Sequence, residues 1–448
     1  MKWLLFFLII PFCAKAQIIT TVVGGGTLLG DGGPATAALI DDPTQINFDK
    51  KGNLYIATGF GSRIRKVDTA GIITTVAGTG TAGYSGDNGL ATFAQINFGA
   101  GVAIDSTGNI FISDGHYGAI RRVDAITHRI TTVCGNDIMG YSGDGGPATA
   151  AKLYGPSAIC FDKTGNLYIA DENNNVVRKI DGSGVIHTIA GTGVYGFNGD
   201  GIQATNAKLY LPIDVQVDDA GNLYIADQGN YRIRKVDKFG IISTYAGNGI
   251  GTYIGDGMAA TNAQFVPTYI KFNSTGDLFV SDQGINNKRV YKIDHNTGKF
   301  HIVAGNGNSI NAGDGGLATA ASFSGYPAGI AFDLCDNLFI GNVGISQDSD
   351  RIRKVTFNPS PCGYLEIKET IIINSITVYP NPFLDELHIE LKTSGQYILL
   401  NITGIIEQTG TLKEGSNSVP VGSLPAGLHM LVLIDEEGRK IVEKIVKE

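Results

Sequence analysis

The strongest constraint on this 448-residue chain is a unit that recurs along its first 355 residues at intervals of 55 to 60 residues. In residues 221–247 the unit reads GNLYIADQGNYRIRKVDKFGIISTYAG, which is three short apolar runs separated by turn residues. Copies begin at Gly52, Gly108, Gly165, Gly221 and Gly276, with a weaker one at Asp336. A fixed period in this range predicts an array of equivalent units that bury their apolar faces only against one another.

Each unit is predicted to be a sheet of four antiparallel strands. A further apolar run, such as SAICFD or DVQVD, precedes each copy, and a glycine-containing turn, for example residues 218–222, joins it to the next strand. Apolar residues alternate along the runs, as at Leu223 and Ile225, which is the pattern of sheets packed face to face. The sequence therefore predicts an all-β fold with six such sheets.

The two ends of the repeat region complement each other. Residues 18–24, IITTVVG, resemble the last strand of a unit (ITTVAG at 73–78), whereas the final copy stops after RIRKV at 351–355. Pairing of these strands would close a ring and leave no open end sheet. An open array would instead need polar caps, which neither end provides. We therefore expect a six-bladed β-propeller over residues 17–357, closed by the N-terminal strand.

Residues 1–16, MKWLLFFLIIPFCAKA, have the pattern of a secretory signal peptide. Lys2 supplies the positive end, residues 3–12 the apolar core, and Ala14-Lys15-Ala16 the small-residue cleavage site. The apolar run is too short to span a bilayer. We expect an exported protein with no transmembrane segment; the alternative is that the run is a buried N-terminal strand.

Net charge and cysteine spacing argue against nucleic-acid binding and against a zinc site. The formal net charge is −8, and such an acidic chain without basic clusters repels phosphate, so nucleic-acid binding is not expected. Four cysteines follow the signal, without the spacing of a zinc site. Cys335 and Cys362 are predicted to share a face of the last blade and to form a disulfide. Cys134 and Cys160 are predicted to be free and buried.

Two sets of repeated aspartates have both a functional and a structural interpretation. The first lies in the GDGG-type connector before each unit and suits calcium, but one carboxylate per loop falls short of a calcium shell. We expect this set to cap the following Ala-Thr-Ala turn instead; its members are Asp31, Asp87, Asp144, Asp200, Asp256 and Asp314. The second set ends the LYIAD-type strand, and we expect loop caps or arginine pairs, such as Asp227 with Arg232, rather than a functional ring of carboxylates; its members are Asp114, Asp171, Asp227 and Asp282, with Thr58 and Asn342 at the same position.

No catalytic signature is apparent in the sequence. The seven histidines fall at unrelated positions of the repeat, so they are not expected to converge on a metal. Nucleophile-elbow and phosphate-loop motifs are absent. No metal and no cofactor are predicted.

The first strands of the units differ at two aligned positions. Three copies carry small residues there, whereas the other three carry the polar or large residues Gln45, Asn47, Asp214, Gln216, Tyr269 and Lys271. Because first strands line the channel of a propeller, these six residues are candidate ligand-binding groups, with Asp214 and Lys271 as a pair. The alternative is that they sit between blades and satisfy one another.

The segments YIAD, RIRKVD and TVAGTG, together with the connector SGDGGPATAA, resemble bacterial NHL repeats. The resemblance covers roughly residues 17–357 and implies a six-bladed NHL propeller. Most relatives of this kind are binding platforms. A few related six-bladed propellers are lyases or lactonases with a metal in the central channel.

The repeat is lost in residues 358–375, where prolines and glycine mark a linker. Residues 376–448 show a different β pattern and are predicted to form a small β-sandwich. This part resembles the C-terminal sorting domain of the type IX secretion system, although His429 replaces a more usual aromatic and Glu448 follows the last lysine. The residues that carry the resemblance are Pro380, Asn381, Pro382, Leu424, Pro425, Gly427, Lys444 and Lys447.

The resemblance to a sorting domain implies transport across the outer membrane by the type IX machinery, followed by surface attachment or release. An accessory adhesion module is the alternative for this domain. We predict a surface or secreted binding module for a glycan, peptide or protein. The competing hypotheses are a channel-centred hydrolase or lyase and a scaffold without a small ligand.

Overall fold

The computed structural model describes residues 17–285, 287–344, 349–357, 377–379, 385–391, 394–401, 406–435 and 440–447. The chain divides into two compact units, Met1–Asn358 and Pro359–Glu448, which are described separately. The predicted signal peptide (residues 1–16) and linker (residues 358–375) lie outside the described residues. In the part of the chain that the structure describes, no helix is long and apolar enough to cross a membrane.

In its described residues, the first unit contains six antiparallel sheets, called blades 1 to 6, each with four strands ordered outward from a first strand; the sheet of blade 4 has a short fifth strand at its outer edge. Blades 1 to 3 consist of Pro43–Phe48, Leu54–Thr58, Arg63–Val67 and Ile73–Ala77; of Gly99–Ile104, Ile110–Asp114, Ala119–Val123 and Ile130–Cys134; and of Pro156–Phe161, Leu167–Asp171, Val176–Ile180 and Ile186–Ala190. Blades 4 to 6 consist of Pro212–Val217, Leu223–Asp227, Arg232–Val236 and Ile241–Ala246; of Pro267–Phe272, Leu278–Asp282, Arg289–Ile293 and Phe300–Ala304; and of Tyr326–Phe332, Leu338–Val343, Arg351–Thr356 and Ile18–Gly24.

The blades form a closed ring. Each first strand contacts the first strands of the two neighbouring blades, and that of blade 6 contacts that of blade 1. The N-terminal strand Ile18–Gly24 runs antiparallel to Arg351–Thr356, with Ile18 opposite Thr356 and Gly24 opposite Arg351. The predicted closure of the propeller by the N-terminal strand is therefore confirmed.

Apolar side chains between successive blades form the core. At the junction of blades 1 and 2, for example, Tyr55 and Ile64 pack with Val102 and Ile112, and the other five junctions have equivalent clusters. Each fully buried side chain of this size contributes about 1.5–3 kcal/mol. The apolar side chains at alternate positions of each strand thus hold neighbouring sheets together.

The connectors between blades cover the outer edges of the sheets. In blades 1, 2 and 3 a connector residue bridges to the chain beside the fourth strand, as in the pairs Pro34–Ile72, Leu90–Arg129 and Pro147–Val185. In blade 4 the short strand Ile202–Gln203 pairs fully with Ile241 and Ile242. Because an open edge strand invites pairing with another chain, this cover protects the rim of the propeller. A single 3-10 turn follows in each connector, at Ala35–Ala37, Ala91–Phe93, Ala148–Ala150, Ala204–Asn206, Ala260–Asn262 and Ala318–Ala320.

The predicted role of the connector aspartates was wrong. No side chain caps the six described 3-10 turns of the connectors. Five of the aspartates instead form an ion pair with a buried arginine from the third strand of the next blade, in the pairs Asp31–Arg65, Asp87–Arg121, Asp144–Arg178, Asp200–Arg234 and Asp314–Arg353. The guanidinium needs this partner because a charge buried alone is very costly.

Three aspartates of the second set, Asp114, Asp171 and Asp227, also contact these arginines. Asp227 Oδ2 lies 3.6 Å from Arg234 Nη1, and Asp171 Oδ2 lies 3.4 Å from Arg178 Nη1. Pairing with the third strand is thus confirmed, but Arg232 was the wrong partner for Asp227, since its guanidinium donates to backbone carbonyls instead. In blade 5 the buried Tyr291 stands at the arginine position.

The second unit is a β-sandwich, as predicted. Its three-stranded sheet contains Thr377–Tyr379, Glu386–Leu391 and Gly415–Pro420. Its four-stranded sheet contains Gly395–Asn401, Ile406–Leu412, Gly427–Asp435 and Lys440–Lys447. Leu387 and Val419 of the first sheet share one core with Leu399 and Leu431 of the second.

Candidate ligand-binding site

The face of the propeller at which the first strands begin carries many exposed apolar side chains. We call it the connector face, because the connectors and the loops between second and third strands both lie there. Its connectors expose Ile138, Met139, Tyr141, Val194, Tyr195, Phe197, Ile250, Ile254 and Ile310. Exposed apolar side chains in this number on one face are typical of an interaction surface.

A cleft of about 440 Å³ opens on this face between blades 2 and 3. Phe98, His116, Met139 and Tyr154 form its walls. Ser157 and Glu172 also line it, and Ser157 is buried at the start of the first strand of blade 3. We refer to it as the blade 2–3 cleft. An aromatic-walled cavity with few polar groups is the usual form of a ligand site.

The aromatic wall is held by the turn that precedes blade 2. Phe98 has a φ of +58°, which is unfavourable for a bulky residue. Its ring lies against the loop between the second and third strands of blade 2. The ring stacks on His116 with centroids 5.2 Å apart and meets Phe60 edge-on at 5.3 Å. Gly115 permits this approach, since a Cβ atom there would lie 3.3 Å from the Phe98 carbonyl oxygen.

Glu172 is the polar group that distinguishes the cleft. It begins the 3-10 turn Glu172–Asn174, directly after Asp171 at the end of the second strand of blade 3. Burial raises the pKa of its carboxyl to about 7, although a hydrogen bond with Ser157 acts in the opposite direction. Glu172 is the single glutamate in residues 17–357. The other blades carry Gly59, Gly115, Gln228, Gln283 and Val343 at the same place.

The six residues predicted to line the channel do come together there, but they bind protein groups. Gln45 reaches across to blades 2 and 3, where its Oε1 accepts from Val102 N at 2.9 Å and its Nε2 donates to Ile159 O at 3.1 Å. Asn47 Nδ2 donates to Val102 O at 2.6 Å, and its Oδ1 accepts from Lys271 Nζ at 2.6 Å. These side chains satisfy backbone groups that face the channel and have no strand beside them.

Asp214 is fully buried and does not form the predicted ion pair. Its Oδ2 accepts from Ile270 N at 2.8 Å, and its Oδ1 accepts from its neighbour Val215 N at 2.7 Å. Among the ion pairs of the described residues, none joins Asp214 to Lys271. Burial raises the pKa of Asp214 to about 7 and lowers that of Lys271.

Small residues in blades 2, 3 and 6 make room for these long side chains. A Cβ atom at Gly101 would lie 2.9 Å from Gln45 Oε1, and one at Gly329 would lie 2.0 Å from the carbonyl oxygen of Thr44. Gln216 adds a weak contact to Asp214 at 3.5 Å, and Tyr269 is buried beside the same first strands. The difference between the small residues of blades 2, 3 and 6 and the polar or large residues of blades 1, 4 and 5 therefore reflects packing across the channel. Ligand binding by these six residues stays a prediction.

The cysteines follow the predicted pattern where the structure describes them. Cys134 and Cys160 are free and buried, as expected. Cys335 is disulfide-bonded, whereas its predicted partner Cys362 lies outside the described residues. Across the described ranges, no three His, Cys, Asp or Glu side chains converge as a metal site.

In the second unit, two side chains hold the turn that contains the predicted sorting motif. Lys447 Nζ donates to the carbonyl oxygens of Val421, Gly422 and Leu424 at 3.1, 2.6 and 2.7 Å. His429 contacts Glu407 through Nδ1 at 2.5 Å and donates from Nε2 to the Pro425 carbonyl at 2.8 Å. Leu424 is buried, and Pro425 and Gly427 are exposed. Pro380, Asn381, Pro382 and the side chain of Lys444 lie outside the described residues.

The sequence-based predictions missed the blade 2–3 cleft. They compared the copies along the first strand, whereas the cleft is built from connectors and from the loops after the second strand. The signal that was available is Glu172, which is a glutamate where the other copies have glycine, glutamine or valine.

Two protein families match this chain. Residues 26–85, 138–197 and 193–253 match the Teneurin NHL domain, and residues 377–448 match the secretion system C-terminal sorting domain. The chain therefore combines an NHL-repeat propeller with a type IX sorting tail. Both parts agree with the resemblance seen in the repeat motifs and in the C-terminal motifs.

Individual relatives match about half of this chain. Human Teneurin-1 is 31% identical over 234 residues, which are 47% of this chain and 8% of that protein. Teneurin-3 of Danio rerio is 32% identical over 236 residues, with coverage of 46% and 8%. The NHL-repeat protein thus spans about 8% of the length of these curated relatives. An auxiliary nutrient binding protein from Bacteroides thetaiotaomicron has a similar fold, with a TM-score of 0.54, 17% identity and 76% coverage of both chains.

Proposed function

We propose that this protein is an exported, non-enzymatic binding module whose ligand occupies the blade 2–3 cleft. The sorting tail makes it a surface or secreted protein. The cleft carries the proposal, because it combines exposed aromatic and methionine walls with a partly buried carboxyl that no other blade repeats. The similar fold of an auxiliary nutrient binding protein is consistent with a binding role, although that likeness concerns the fold alone.

The channel offers less support for catalysis. A catalytic acid or base needs a proton-transfer partner in the substrate within hydrogen-bond reach. Asp214 already accepts three hydrogen bonds from the protein, and the Lys271 ammonium donates to Asn47. Gln45 spans the channel between blades 1 and 3. These internal contacts favour a packing role for the channel and leave the cleft as the place for a ligand.

A binding screen with a matched pair of variants tests the proposal. The purified protein is screened against soluble oligosaccharides and short peptides, and every hit is titrated again with Tyr154→Ala and with Tyr195→Ala. Both tyrosines are exposed on the connector face, but only Tyr154 lines the cleft. We expect Tyr154→Ala to weaken binding about tenfold and Tyr195→Ala to leave it unchanged. Hits that Tyr154→Ala does not affect would refute the proposed site.

A further inference from the structure

We propose that the blade 2–3 cleft recognises a lysine side chain of a polypeptide, with its ammonium group against Glu172 and its aliphatic stem along the aromatic walls. This inference rests on the proposed binding role of the cleft and names the chemistry of its ligand. It concerns residues at a single junction between two blades, so it is independent of the packing shared by all blades.

The first argument is the charge of the lining. Glu172 contributes the negative group, and no lysine or arginine is among the residues that line the cleft. The carboxyl is hydrogen-bonded to the neutral hydroxyl of Ser157. A partly buried carboxylate without a cation is unfavourable, and a ligand ammonium would offset that cost. The net charge of −8 also attracts cationic partners over longer distances.

The second argument is the shape and chemistry of the walls. Met139 is 54% exposed and Tyr154 is 44% exposed, so both have free surface for contact with a ligand. A lysine side chain places four methylene groups against such a surface and keeps its charged end at a polar group. The aromatic ring faces add a cation–π attraction for the ammonium. A neutral apolar ligand would leave the Glu172 carboxylate without a cation.

The third argument favours a peptide over an amino sugar as the ligand of the cleft. A sugar ring needs hydrogen-bond partners for several hydroxyl groups. The polar groups of the lining are the Tyr154 hydroxyl and the side chains of His116, Ser157, Glu172 and Asn173. His116 Nδ1 contacts Asn97 Oδ1 at 3.2 Å, and Ser157 and Glu172 are hydrogen-bonded to each other, so few of these groups are free for sugar hydroxyls. The cleft volume of about 440 Å³ also exceeds what one side chain fills, which leaves room for the residues on either side of a lysine.

Isothermal titration calorimetry of the whole protein tests this inference. The probes are the blocked peptide Gly-Ala-Lys-Ala-Gly, the same peptide with Nε-acetyl-lysine, the same peptide with norleucine, and free glucosamine. We expect the lysine peptide to bind and the acetylated, norleucine and glucosamine probes to bind at least about tenfold more weakly, because each lacks either the ammonium group or the apolar stem. Equal binding of the acetylated peptide, or no binding of the lysine peptide, overturns the inference. Preferential binding of glucosamine overturns it in favour of an amino sugar.

Two variants complete the test. Glu172→Gln keeps the shape and removes the charge, and we expect it to weaken binding of the lysine peptide about tenfold. Asp219→Asn is the control, since Asp219 is 85% exposed in a turn on the opposite face and pairs with Lys163 at 2.8 Å. An equal effect of the two variants would show that only net charge matters and would overturn the inference. If a neutral hit of the earlier screen is lost in Tyr154→Ala but unchanged in Glu172→Gln, the binding role of the cleft stands and the lysine assignment fails.

Discussion

Replacement of one buried arginine by methionine should destabilise the propeller strongly and make its stability depend on pH. Arg178 is fully buried; its Nη2 lies 2.7 Å from Asp144 Oδ1 and its Nη1 lies 3.4 Å from Asp171 Oδ2. Arg178→Met fills a similar volume but leaves Asp171, which is also fully buried, without its cation. Removal of one partner of a buried ion pair costs about 3–5 kcal/mol, which we expect for the free energy of unfolding at neutral pH.

The pH dependence follows from the pKa of Asp171. Burial already raises this pKa from 3.8 to about 6 with the arginine present, so protonation favours the folded state and stability from this group is lost as pH rises through about 6. Without Arg178 the pKa rises further, and the loss extends to higher pH. Arg178→Met should therefore regain stability on acidification, and the double variant Asp171→Asn/Arg178→Met should lose this added pH dependence.

Denaturant unfolding followed by circular dichroism at several pH values measures both effects. Arg129→Met is the control, because Arg129 is exposed and donates only to the Asn88 carbonyl. A loss smaller than about 1 kcal/mol in Arg178→Met would contradict the reasoning. So would a pH profile parallel to that of the unaltered protein.

Four further predictions concern other parts of the chain. Ile19→Ala should cost about 3 kcal/mol of unfolding free energy, because Ile19 is fully buried in the closing strand, whereas the exposed Thr20→Ala should be close to neutral. Binding of the lysine peptide should strengthen as pH rises through about 7, where the Glu172 carboxyl ionises, and this rise should vanish in Glu172→Gln. Lys447→Met should destabilise the C-terminal domain by about 2 kcal/mol and lower the exported amount relative to the exposed control Lys413→Met, because three carbonyl groups lose their donor. Alkylation of the unreduced, unfolded protein followed by mass spectrometry should modify Cys134 and Cys160 and leave Cys335 unmodified, and modification of Cys335 would contradict its disulfide bond.

The repeated part of the fold is predictable because its determinants are local. Alternation within each strand and glycine in each turn give the four-stranded sheets, and the likeness of residues 18–24 to residues 73–78 gives the closing strand. The partner of Asp227 was missed for a geometric reason. Arg232 stands directly opposite in the register, but the buried guanidinium that reaches Asp227 belongs to Arg234, two residues further along the same strand.

The contacts between connector and blade were harder to predict. Asp144 and Arg178 are 34 residues apart, so no local pattern links them, and the Ala-Thr-Ala turn next to the aspartate suggested a cap. The blade 2–3 cleft depends on the same kind of long-range proximity. Its walls come from a connector, a turn before one blade and a loop within the next, and only the unusual Glu172 marks the place in the sequence.

Closure by the N-terminal strand has a consequence for how the ring assembles. Ile18 pairs with Thr356 across 338 residues of chain, which is the longest sequence separation among the strand pairs that the structure describes in the propeller, so we expect the closing ladder to form late in folding. Until then, Arg351–Thr356 is an unpaired edge and Ile18–Gly24 is a loose strand that fits it. When chains refold at high concentration, the N-terminal strand of one molecule can pair with the open edge strand of another molecule through the same hydrogen bonds. Dilution during refolding should therefore decide between single rings and strand-exchanged oligomers.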